Sequence, residues 1–244
     1  MNICVTGASK GLGRALCQVL TESEHTVWGV ARSEMDLRET EKLCAHGLFH
    51  WSEVDITQED SVRSWEQKMK HKEFSPDVII LNASLQMDDM ADGFDLKKGT
   101  QTIRTNIEGN FACVSMFLPA FLKRSSGTFI LIASTAALRP SVRSAAYSAS
   151  KAAMAMAFRS FRMRYAKDGI VFKTVMLGPI RSDMWEGRDS FLVASSQSAA
   201  QAIVRFLASR SSALYYPRIS TFLLRFSLFL PDRFFAAVSS TFLK

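Results

Sequence analysis

The chain begins with the apolar run Asn2-Ile-Cys-Val-Thr6, followed at once by Gly7-Ala-Ser-Lys-Gly11-Leu-Gly13 and then by Arg14-Ala-Leu-Cys-Gln-Val-Leu20. The first run is typical of a short buried strand, and the last has the apolar spacing of a helix. A strand, a glycine turn and a helix in this order place bare backbone N–H groups at a helix N-terminus, where a pyrophosphate binds well. Glycines permit the tight turn, the close approach of the phosphates and the close packing of helix on strand. The turn residues predicted to contact a dinucleotide are Gly7, Ser9, Lys10, Gly11, Leu12 and Gly13.

Further apolar runs with strand character follow, and helical patterns alternate with them. The helical pattern after the third run is expected to start near Thr57 and to end near Lys70. Such alternation is typical of an α/β fold, in which helices cover both faces of a parallel sheet. No repeat, linker or low-complexity segment interrupts it, so we expect one domain over residues 1–244. The further strands are predicted at His25–Ala31, Leu48–Val54, Asp77–Leu81, Phe129–Ser134 and Ser211–Tyr216.

The second strand ends at Arg32 and Ser33, where a dinucleotide-binding fold that prefers NAD(H) usually carries an acid for the ribose 2′-hydroxyl. A cation here favours the 2′-phosphate of NADP(H) instead, and Lys10 in the glycine turn is a second cation. The alternative explanation for both residues is that they are solvated surface charges. Because cations occur at the two places that a 2′-phosphate needs, we expect NADP(H) rather than NAD(H) as the cofactor.

Tyr147 and Lys151 lie four residues apart in a helical stretch and therefore share one face of the helix. A neighbouring ammonium favours the ionised phenol and lowers its pKa from about 10. A tyrosine of this kind can exchange a proton with a carbonyl or alcohol oxygen. Most pairs with this spacing are solvated helix faces. Ser134, at the end of a predicted strand, and the glycine turn favour the catalytic interpretation here.

Two asparagines in apolar surroundings each have two explanations. Asn82 follows the fourth predicted strand, so its amide either clamps the sheet or lines a ligand crevice. Asn106 lies inside a helical pattern, where a satisfied core amide is more common than a catalytic group. Both explanations stay open for each residue at this stage.

The charge is uneven along the chain, which has a net charge of +7 in total. Residues 1–150 have a balance of −2, and residues 151–244 have a balance of +9. No nucleic-acid motif accompanies the basic part, so we expect no nucleic-acid partner. The four cysteines lack the spacing of metal ligands, so we expect mostly buried, reduced thiols. His46 and His50 have the spacing of two ligands on a helix, but His50 falls in a strand-like run, so we expect no metal site.

Together these residues resemble the short-chain dehydrogenase/reductase family, in its compact single-domain branch. The resemblance implies a Rossmann-like, doubly wound parallel sheet and a small-molecule carbonyl or alcohol substrate. The matching motifs, in the order and spacing of the family, are Thr6-Gly7-Ala-Ser-Lys-Gly11-Leu-Gly13, Asp55, Asn82-Ala83, Asn106, Ser134, Tyr147 and Lys151.

The resemblance also implies a role for each matching residue. Tyr147 would be the general acid/base, and Ser134 would orient the substrate oxygen. Lys151 would hold the nicotinamide ribose and lower the pKa of Tyr147, while Asn106 would anchor a proton-relay water. Asp55 would contact the adenine. The other positions implied for the cofactor are Arg32, Ser33, Ile56, Asn82, Ala83, Ile180 and Ser182.

The chain departs from the family pattern at three positions. Ser84 stands where the family often has glycine, which adds a side chain near the cofactor. Leu177 stands where the family has proline, and Ser182 where it has threonine. Serine keeps the hydroxyl that would bond the nicotinamide carboxamide, so the cofactor contact is expected to remain.

We therefore expect an NADP(H)-dependent oxidoreductase that interconverts a carbonyl and an alcohol by hydride transfer. One alternative is a sugar-nucleotide epimerase or dehydratase of the same superfamily, whose chains are usually longer in the C-terminal substrate region. Another is a catalytically idle NADP(H)-binding regulator. The complete set Asn106, Ser134, Tyr147 and Lys151 argues against the idle regulator, because drift would damage such a set.

Residues 221–244 form an apolar tail, which we expect to be helical. Its run Phe222–Leu230 is too short to span a bilayer, which needs about 20 residues, and Arg225 interrupts it. We expect the tail to be covered by the chain's own core or by a second copy in a homo-oligomer. The alternative is an amphipathic segment lying on a membrane. The arginines that would then face lipid head groups are Arg218, Arg225 and Arg233.

The N-terminus bears on location. Met1 leads directly into a strand, and no charged region with a signal-type apolar run precedes it. We therefore expect a cytoplasmic protein, with peripheral membrane contact through the tail as the open question.

Overall fold

The computed structural model describes residues 1–181 and 192–231 and contains a large parallel sheet. Its order is β3-β2-β1-β4-β5-β6-β9, and the two short strands β7 and β8 pair separately. The strands are β1 (Asn2–Thr6), β2 (Thr26–Ala31), β3 (Phe49–Glu53), β4 (Val78–Leu81), β5 (Gly127–Ser134), β6 (Ile170–Leu177), β7 (Ile180–Arg181), β8 (Ala194–Ser195) and β9 (Ala213–Tyr216). Strand order reverses between β1 and β4, which is where ligands bind in open α/β sheets. The predicted doubly wound parallel sheet is confirmed.

Helices connect the strands and leave a few short irregular turns. A π-helical turn over Arg104–Glu108 joins two of the helices, and a 3₁₀ turn over Thr135–Ala137 follows β5. The α-helices of the described residues are α1 (Gly11–Glu22), α2 (Glu34–Leu43), α3 (Glu59–His71), α4 (Leu96–Ile103), α5 (Gly109–Arg124), α6 (Ala145–Tyr165), α7 (Ser196–Leu207) and α8 (Arg218–Ser227).

Two apolar cores lie on opposite faces of the sheet, because successive strand side chains point in opposite directions. In β4, Ile79 belongs to the core under α3, α5 and α6, whereas Ile80 belongs to the core under α1 and α7. Parallel strands buried on both faces read as nearly continuous apolar runs, as β1 and β4 do. The core side chains contributed by the helices include Trp65, Phe117 and Phe158 on one face and Leu16, Leu20 and Ile203 on the other.

Element boundaries differ from the sequence-based ones by a few residues. The first helix begins at Gly11 rather than Arg14, and the last sheet strand begins at Ala213 rather than Ser211. Strand β5 begins at Gly127, two residues before the predicted apolar run. A Cβ at Gly127 would lie 2.1 Å from the ring of Phe121, so close packing explains a glycine inside this strand.

Part of the C-terminal apolar run, up to Ser227, lies in α8, and the chain's own core does not cover its large apolar side chains. Cover by a second copy stays a prediction. The side chains of Phe222 and Phe226 on α8 are 67% and 63% exposed, respectively. Within α8 itself, the buried residue is Thr221. The rest of the predicted tail, including the apolar segment at residues 234–238, lies outside the described residues. None of the helices in the described part of the chain has the length and apolar character needed to span a membrane.

Lys173 is a buried lysine of β6 whose ammonium binds the C-terminal end of α7. Its Nζ donates to the carbonyl oxygens of Phe206, Leu207 and Ser209 at 3.0, 2.9 and 2.5 Å. Carbonyls at a helix C-terminus have no partner within the helix and carry partial negative charge, so a cation there is favourable. Burial lowers the pKa of this lysine, which is the cost of placing it inside the protein.

We predict that Lys173→Met destabilises the protein by about 1–3 kcal/mol, because the carbonyls lose a charged donor while staying buried. Urea unfolding followed by circular dichroism measures the change. Lys167→Met, which removes an exposed lysine, is the matched control and should change the free energy of unfolding little. Equal stabilities of the two variants would contradict a capping role for Lys173.

Candidate active site

The glycine turn between β1 and α1 brings backbone close to backbone. A Cβ at Gly13 would lie 1.9 Å from the carbonyl oxygen of Gly7, so no larger residue fits there. Gly7 adopts φ +68°, a left-handed conformation that favours glycine. Lys10 precedes α1 without a side-chain cap, so the first N–H groups of the helix are available to a ligand. This bare, positively polarised turn fits the pyrophosphate of a dinucleotide.

Asn82 holds the ends of β1 and β4 together. Its Nδ2 donates to the carbonyl oxygens of Thr6 and Gly7 at 3.0 and 3.1 Å. The Thr6 hydroxyl in turn accepts from the backbone N–H groups of Asn82 and Ala83, each at 3.0 Å. Asn82 also lines the crevice described next, so it acts both as the clamp and as a lining residue.

One crevice of about 450 Å³ opens along the carboxyl ends of the strands. The residues predicted for the dinucleotide line it, except Ser182, which lies outside the described residues. Ser134, Tyr147 and Lys151 line the same crevice. The lining residues that were predicted to contact the cofactor are Gly7, Ser9, Lys10, Gly11, Leu12, Gly13, Arg32, Ser33, Asp55, Ile56, Asn82, Ala83, Tyr147, Lys151 and Ile180. Lining residues that the sequence analysis did not select include Asp36, Leu85, Thr105 and Gly178.

Of the two cations predicted to contact a 2′-phosphate, Lys10 forms an ion pair with Asp36. Lys10 Nζ lies 3.3 Å from a carboxylate oxygen of Asp36, whereas Arg32 is exposed at the end of β2. A hydrogen bond from Ser33 and the proximity of Lys10 lower the pKa of Asp36, so this carboxylate is charged at neutral pH. The contact of Lys10 with a 2′-phosphate stays a prediction, and in the structure that contact would compete with the ion pair to Asp36. Arg32 is the cation that a 2′-phosphate could reach without competing with Asp36.

A local sequence signal for Asp36 exists. Ser33 caps α2 by accepting from the Asp36 N–H at 3.3 Å, and an acid three residues after a serine is a common helix-start pattern. The pattern places a carboxylate within the first turn of α2, beside the end of β2. The sequence analysis did not use it.

Tyr147, Ser134 and Lys151 meet where α6 packs against the end of β5. Lys151 is 6% exposed, and its Nζ donates to the carbonyl oxygen of Ile132 at 3.0 Å. The same Nζ lies 5.5 Å from the centroid of the Tyr147 ring. Ser134 lies on the Tyr147 side of the crevice, and its hydroxyl accepts from the N–H of Ala136 at 3.1 Å. The arrangement brings a hydroxyl pair and a cation to one wall of the crevice.

Burial changes the pKa of both titratable groups. It raises the pKa of Tyr147 above 10, and the hydrogen bond with Ser134 opposes the rise. It lowers the pKa of Lys151 to about 8. The expected lowering of the Tyr147 pKa by Lys151 is therefore wrong for the protein alone, because the argument counted the cation and not the removal of both groups from water. At neutral pH the phenol is protonated, and the lysine is mostly charged.

Asn106 lies behind the crevice wall, in the π-helical turn between α4 and α5. Its side-chain oxygen accepts from the Leu85 N–H at 2.7 Å, and its Nδ2 donates to Leu85 O and Ser150 Oγ, each at 2.9 Å. The Ser150 hydroxyl donates to the carbonyl oxygen of Tyr147 at 2.7 Å. Asn106 is thus a satisfied core amide that connects the β4–α4 loop to the helix of Tyr147. π-Helical turns of this kind often occur at functional sites.

Asp89, which the sequence analysis did not select, holds the N-terminus of α6. It is fully buried, and its carboxylate accepts from the N–H groups of Ala145 and Ala146 at 2.8 and 3.0 Å. The hydroxyl of Ser144 adds a third bond at 3.2 Å. A carboxylate at a helix N-terminus binds unpaired N–H groups and complements the helix dipole. Since Tyr147 lies in the first turn of α6, Asp89 helps to determine where the phenol stands.

The sequence matches the family model described as short chain dehydrogenase over residues 1–192. An uncharacterized oxidoreductase of Staphylococcus saprophyticus is 29% identical over 72% of this chain and 76% of its own length. A 3-oxoacyl-[acyl-carrier-protein] reductase of Staphylococcus epidermidis is 27% identical over 74% of this chain and 75% of its own. Among solved structures, the closed form of a serine dehydrogenase complexed with NADP+ is similar, with a TM-score of 0.81 and 17% sequence identity. The match covers 88% of this chain and 94% of the serine dehydrogenase chain, so the two proteins share the fold. The family match and the parallel sheet agree, and the chain belongs to the short-chain dehydrogenase/reductase family of oxidoreductases.

Proposed function

We propose that this protein is an NADP(H)-dependent oxidoreductase that interconverts a carbonyl and an alcohol on a small molecule. The observation that carries the proposal is that Ser134, Tyr147 and Lys151 line the same crevice as the glycine turn. A proton donor, a cation and a phosphate-binding turn along one crevice are what such a reaction requires.

The chain offers contacts for each part of the dinucleotide. The glycine turn and the N-terminus of α1 fit the pyrophosphate. Asp55, one of whose carboxylate oxygens accepts from Thr57 at 2.9 and 2.7 Å, is assigned with Ile56 to the adenine. Arg32 is assigned to the 2′-phosphate. Ile180 and Ser182 are assigned to the nicotinamide end, and the serine hydroxyl would bond the carboxamide.

The protein's own part of the reaction is to place the substrate oxygen and to move one proton. When bound, the cofactor supplies or accepts the hydride. Tyr147 donates its proton to the carbonyl oxygen in reduction and takes it back in oxidation. Burial raises the pKa of the phenol, so the proton-donating form prevails at neutral pH. Ser134 orients the substrate oxygen through its hydroxyl.

Lys151 and Asn106 each support Tyr147, the first through its charge and the second through a hydrogen-bond chain. The Lys151 ammonium, 5.5 Å from the phenol ring, stabilises the negative charge that develops on the phenol as it loses its proton. Asn106 holds Ser150 and, through it, the backbone of Tyr147. It is also assigned to a water that carries the proton onward.

The relatives support the carbonyl assignment. The similar protein of Staphylococcus epidermidis is named a 3-oxoacyl-[acyl-carrier-protein] reductase, and the serine dehydrogenase of the same fold is complexed with NADP+. A screen of 3-oxoacyl thioesters, simple ketones and secondary alcohols, followed by NADPH absorbance, tests the proposal. Binding of NADPH without turnover of any class would favour the idle regulator instead.

We predict that NADPH binds at least about tenfold more tightly than NADH, because a charge-assisted contact to the 2′-phosphate contributes about 1.5–3 kcal/mol. Arg32→Ala should remove most of this preference and leave NADH affinity nearly unchanged. Calorimetric titration of both cofactors measures it. Arg38→Ala is the control, since Arg38 lies on α2 and pairs with Glu34. An unchanged NADPH/NADH ratio in Arg32→Ala would refute the assignment.

For the chemistry, Tyr147→Phe should lower kcat by about 10²–10⁴-fold, because it removes the proton donor and little else. NADPH affinity and thermal stability should persist. Tyr165→Phe, the same change at the end of α6 and away from the crevice, should retain activity. Substantial turnover by Tyr147→Phe on an identified substrate would place the proton donor elsewhere.

Asp89 gives a prediction about positioning. Asp89→Asn keeps one acceptor but loses the charge at the N-terminus of α6, so unfolding should become easier by about 1–3 kcal/mol. Because Tyr147 lies in the affected turn, kcat should fall severalfold while NADPH affinity changes little. Asp88→Asn is the neighbouring control, since Asp88 forms an ion pair with Arg143 nearer the surface. A stability loss without any change in kcat would leave Asp89 a purely structural residue.

A further inference from the structure

Helix α8 presents an apolar stripe to solvent. Its members recur every three or four residues and therefore lie on one side of the helix axis. Their side chains are between 45% and 67% exposed. They are Ile219, Phe222, Leu223 and Phe226 on α8, and Leu230 in the turn that follows the helix. Contiguous apolar surface of this kind on a globular protein usually marks an interaction site.

The opposite side of α8 is fixed to the domain. A Cβ at Gly178, which follows β6, would lie 3.1–3.4 Å from side-chain atoms of Ser220 and Thr221, so the start of α8 packs against this part of the domain. The buried Arg139 donates to the carbonyl oxygens of Ser227 and Leu230 at the C-terminal end of the helix, the latter at 2.8 Å. The apolar stripe is thus held outward by contacts on the other side of α8, and the domain core does not cover it.

The charge around the stripe has one sign. Between residues 190 and 231 the chain has no aspartate or glutamate but has four arginines. Two of these, Arg218 and Arg225, belong to α8, and both residues are exposed. On a helical projection they share the side of α8 next to Phe222. The Arg225 guanidinium lies over the ring of Tyr215 on β9, 4.4 Å from its centroid, so this arginine lies between the apolar stripe and the domain.

We propose that α8 is a docking helix for the surface of an anionic lipid membrane. The helix would lie in the plane of the interface, with the phenylalanine and leucine side chains among the acyl chains and the arginines at the phosphate groups. Ten residues span only about 15 Å, so this helix is suited to lie on a bilayer and not to cross it. Attraction to anionic lipid contributes about 1 kcal/mol for each arginine near the surface.

A second copy of the chain fits the same surface less well. In an isologous contact the same patch of both protomers meets, so the arginines of two α8 helices are brought into one interface and repel one another. No acid between residues 190 and 231 is available to offset that repulsion. Lipid phosphates supply the opposite charge, and acyl chains supply the apolar phase.

The position of α8 gives the docking a consequence for the enzyme. Gly178, which α8 contacts, lines the crevice, and Arg139 lies just after the 3₁₀ turn that follows Ser134. A membrane bound along the apolar stripe would therefore lie close to the crevice. This arrangement suits an enzyme whose carbonyl or alcohol substrate partitions into lipid. The docking itself does not depend on the proposed reaction.

The experiment is co-sedimentation of the full chain with vesicles of phosphatidylcholine alone and of phosphatidylcholine mixed with phosphatidylglycerol. Binding is expected to the mixed vesicles at low salt, and it should weaken as salt screens the arginines. Arg218→Gln with Arg225→Gln should weaken binding to mixed vesicles by about 25-fold, at about fivefold for each charge. Affinity for the neutral vesicles should change little in this variant.

Phe222→Ser with Phe226→Ser tests the apolar component and should weaken binding at least tenfold. Leu96→Ser with Met163→Ser is the matched control, since these apolar side chains on α4 and α6 are 70% and 82% exposed. Circular dichroism and size-exclusion chromatography of each variant report folding and mass.

Three outcomes would overturn the proposal. The first is that the intact protein ignores mixed vesicles at low salt. The second is that the phenylalanine variant has a lower mass in solution while intact protein of full mass does not sediment with vesicles, which assigns the stripe to a second copy. The third is that the arginine and phenylalanine variants sediment as the intact protein does. If the phenylalanine variant fails to fold, the arginine variant and the salt dependence decide alone.

Discussion

The structure depends on the clamp that Asn82 forms at the point where the sheet order reverses. Strands β1 and β4 are neighbours in the sheet although β2 and β3 lie between them in the chain. Their connections leave in opposite directions, so the sheet opens a crevice at their carboxyl ends. The amide of Asn82 bonds the carbonyls of Thr6 and Gly7 across this opening. This bond holds the glycine turn in place, where the backbones of Gly7 and Gly13 approach each other closely. The N-terminus of α1 therefore stays beside the other residues of the crevice.

The side of the crevice that carries Tyr147 is built by a second set of buried polar contacts, which converge on α6. Asp89 binds the first N–H groups of this helix, and Asn106 reaches Tyr147 through Ser150. Asp89 and Leu85, the other partner of Asn106, belong to the same loop after β4. The position of the phenol is thus set by a segment that is more than fifty residues away in sequence. A buried carboxylate that satisfies three donors is expensive to disturb, so the loop and the helix should move together or not at all.

Much of this was predictable from sequence, and the limits have physical causes. The strand, glycine turn and helix at the N-terminus follow from local spacing, and so does the pairing of Tyr147 with Lys151 on one helix face. The contacts of Asp89 did not follow, because nothing in the Asp-rich loop distinguishes it from Asp88 until the loop meets α6. The pairing of Lys10 with Asp36 depends on how α2 packs beside the glycine turn. The cover of α8 could not be chosen from sequence, because an apolar run predicts burial but does not specify whether the core, a second copy or a membrane provides it.

The pKa shifts of Tyr147 and Lys151 both follow from burial at the same wall of the crevice. A fall in the Lys151 pKa from 10.5 to about 8 corresponds to roughly 3 kcal/mol against the charged form. The hydrogen bond from Lys151 Nζ to the carbonyl oxygen of Ile132, at 3.0 Å, offsets part of this cost. This cost is largest at pH values below 8, where the lysine is charged in the fold, and it vanishes above the pKa of the unfolded chain. A fold selected for stability alone would place a methionine there. The proposed reaction explains the lysine better, because an ammonium in a water-poor site acts on a developing phenolate far more strongly than one in solvent.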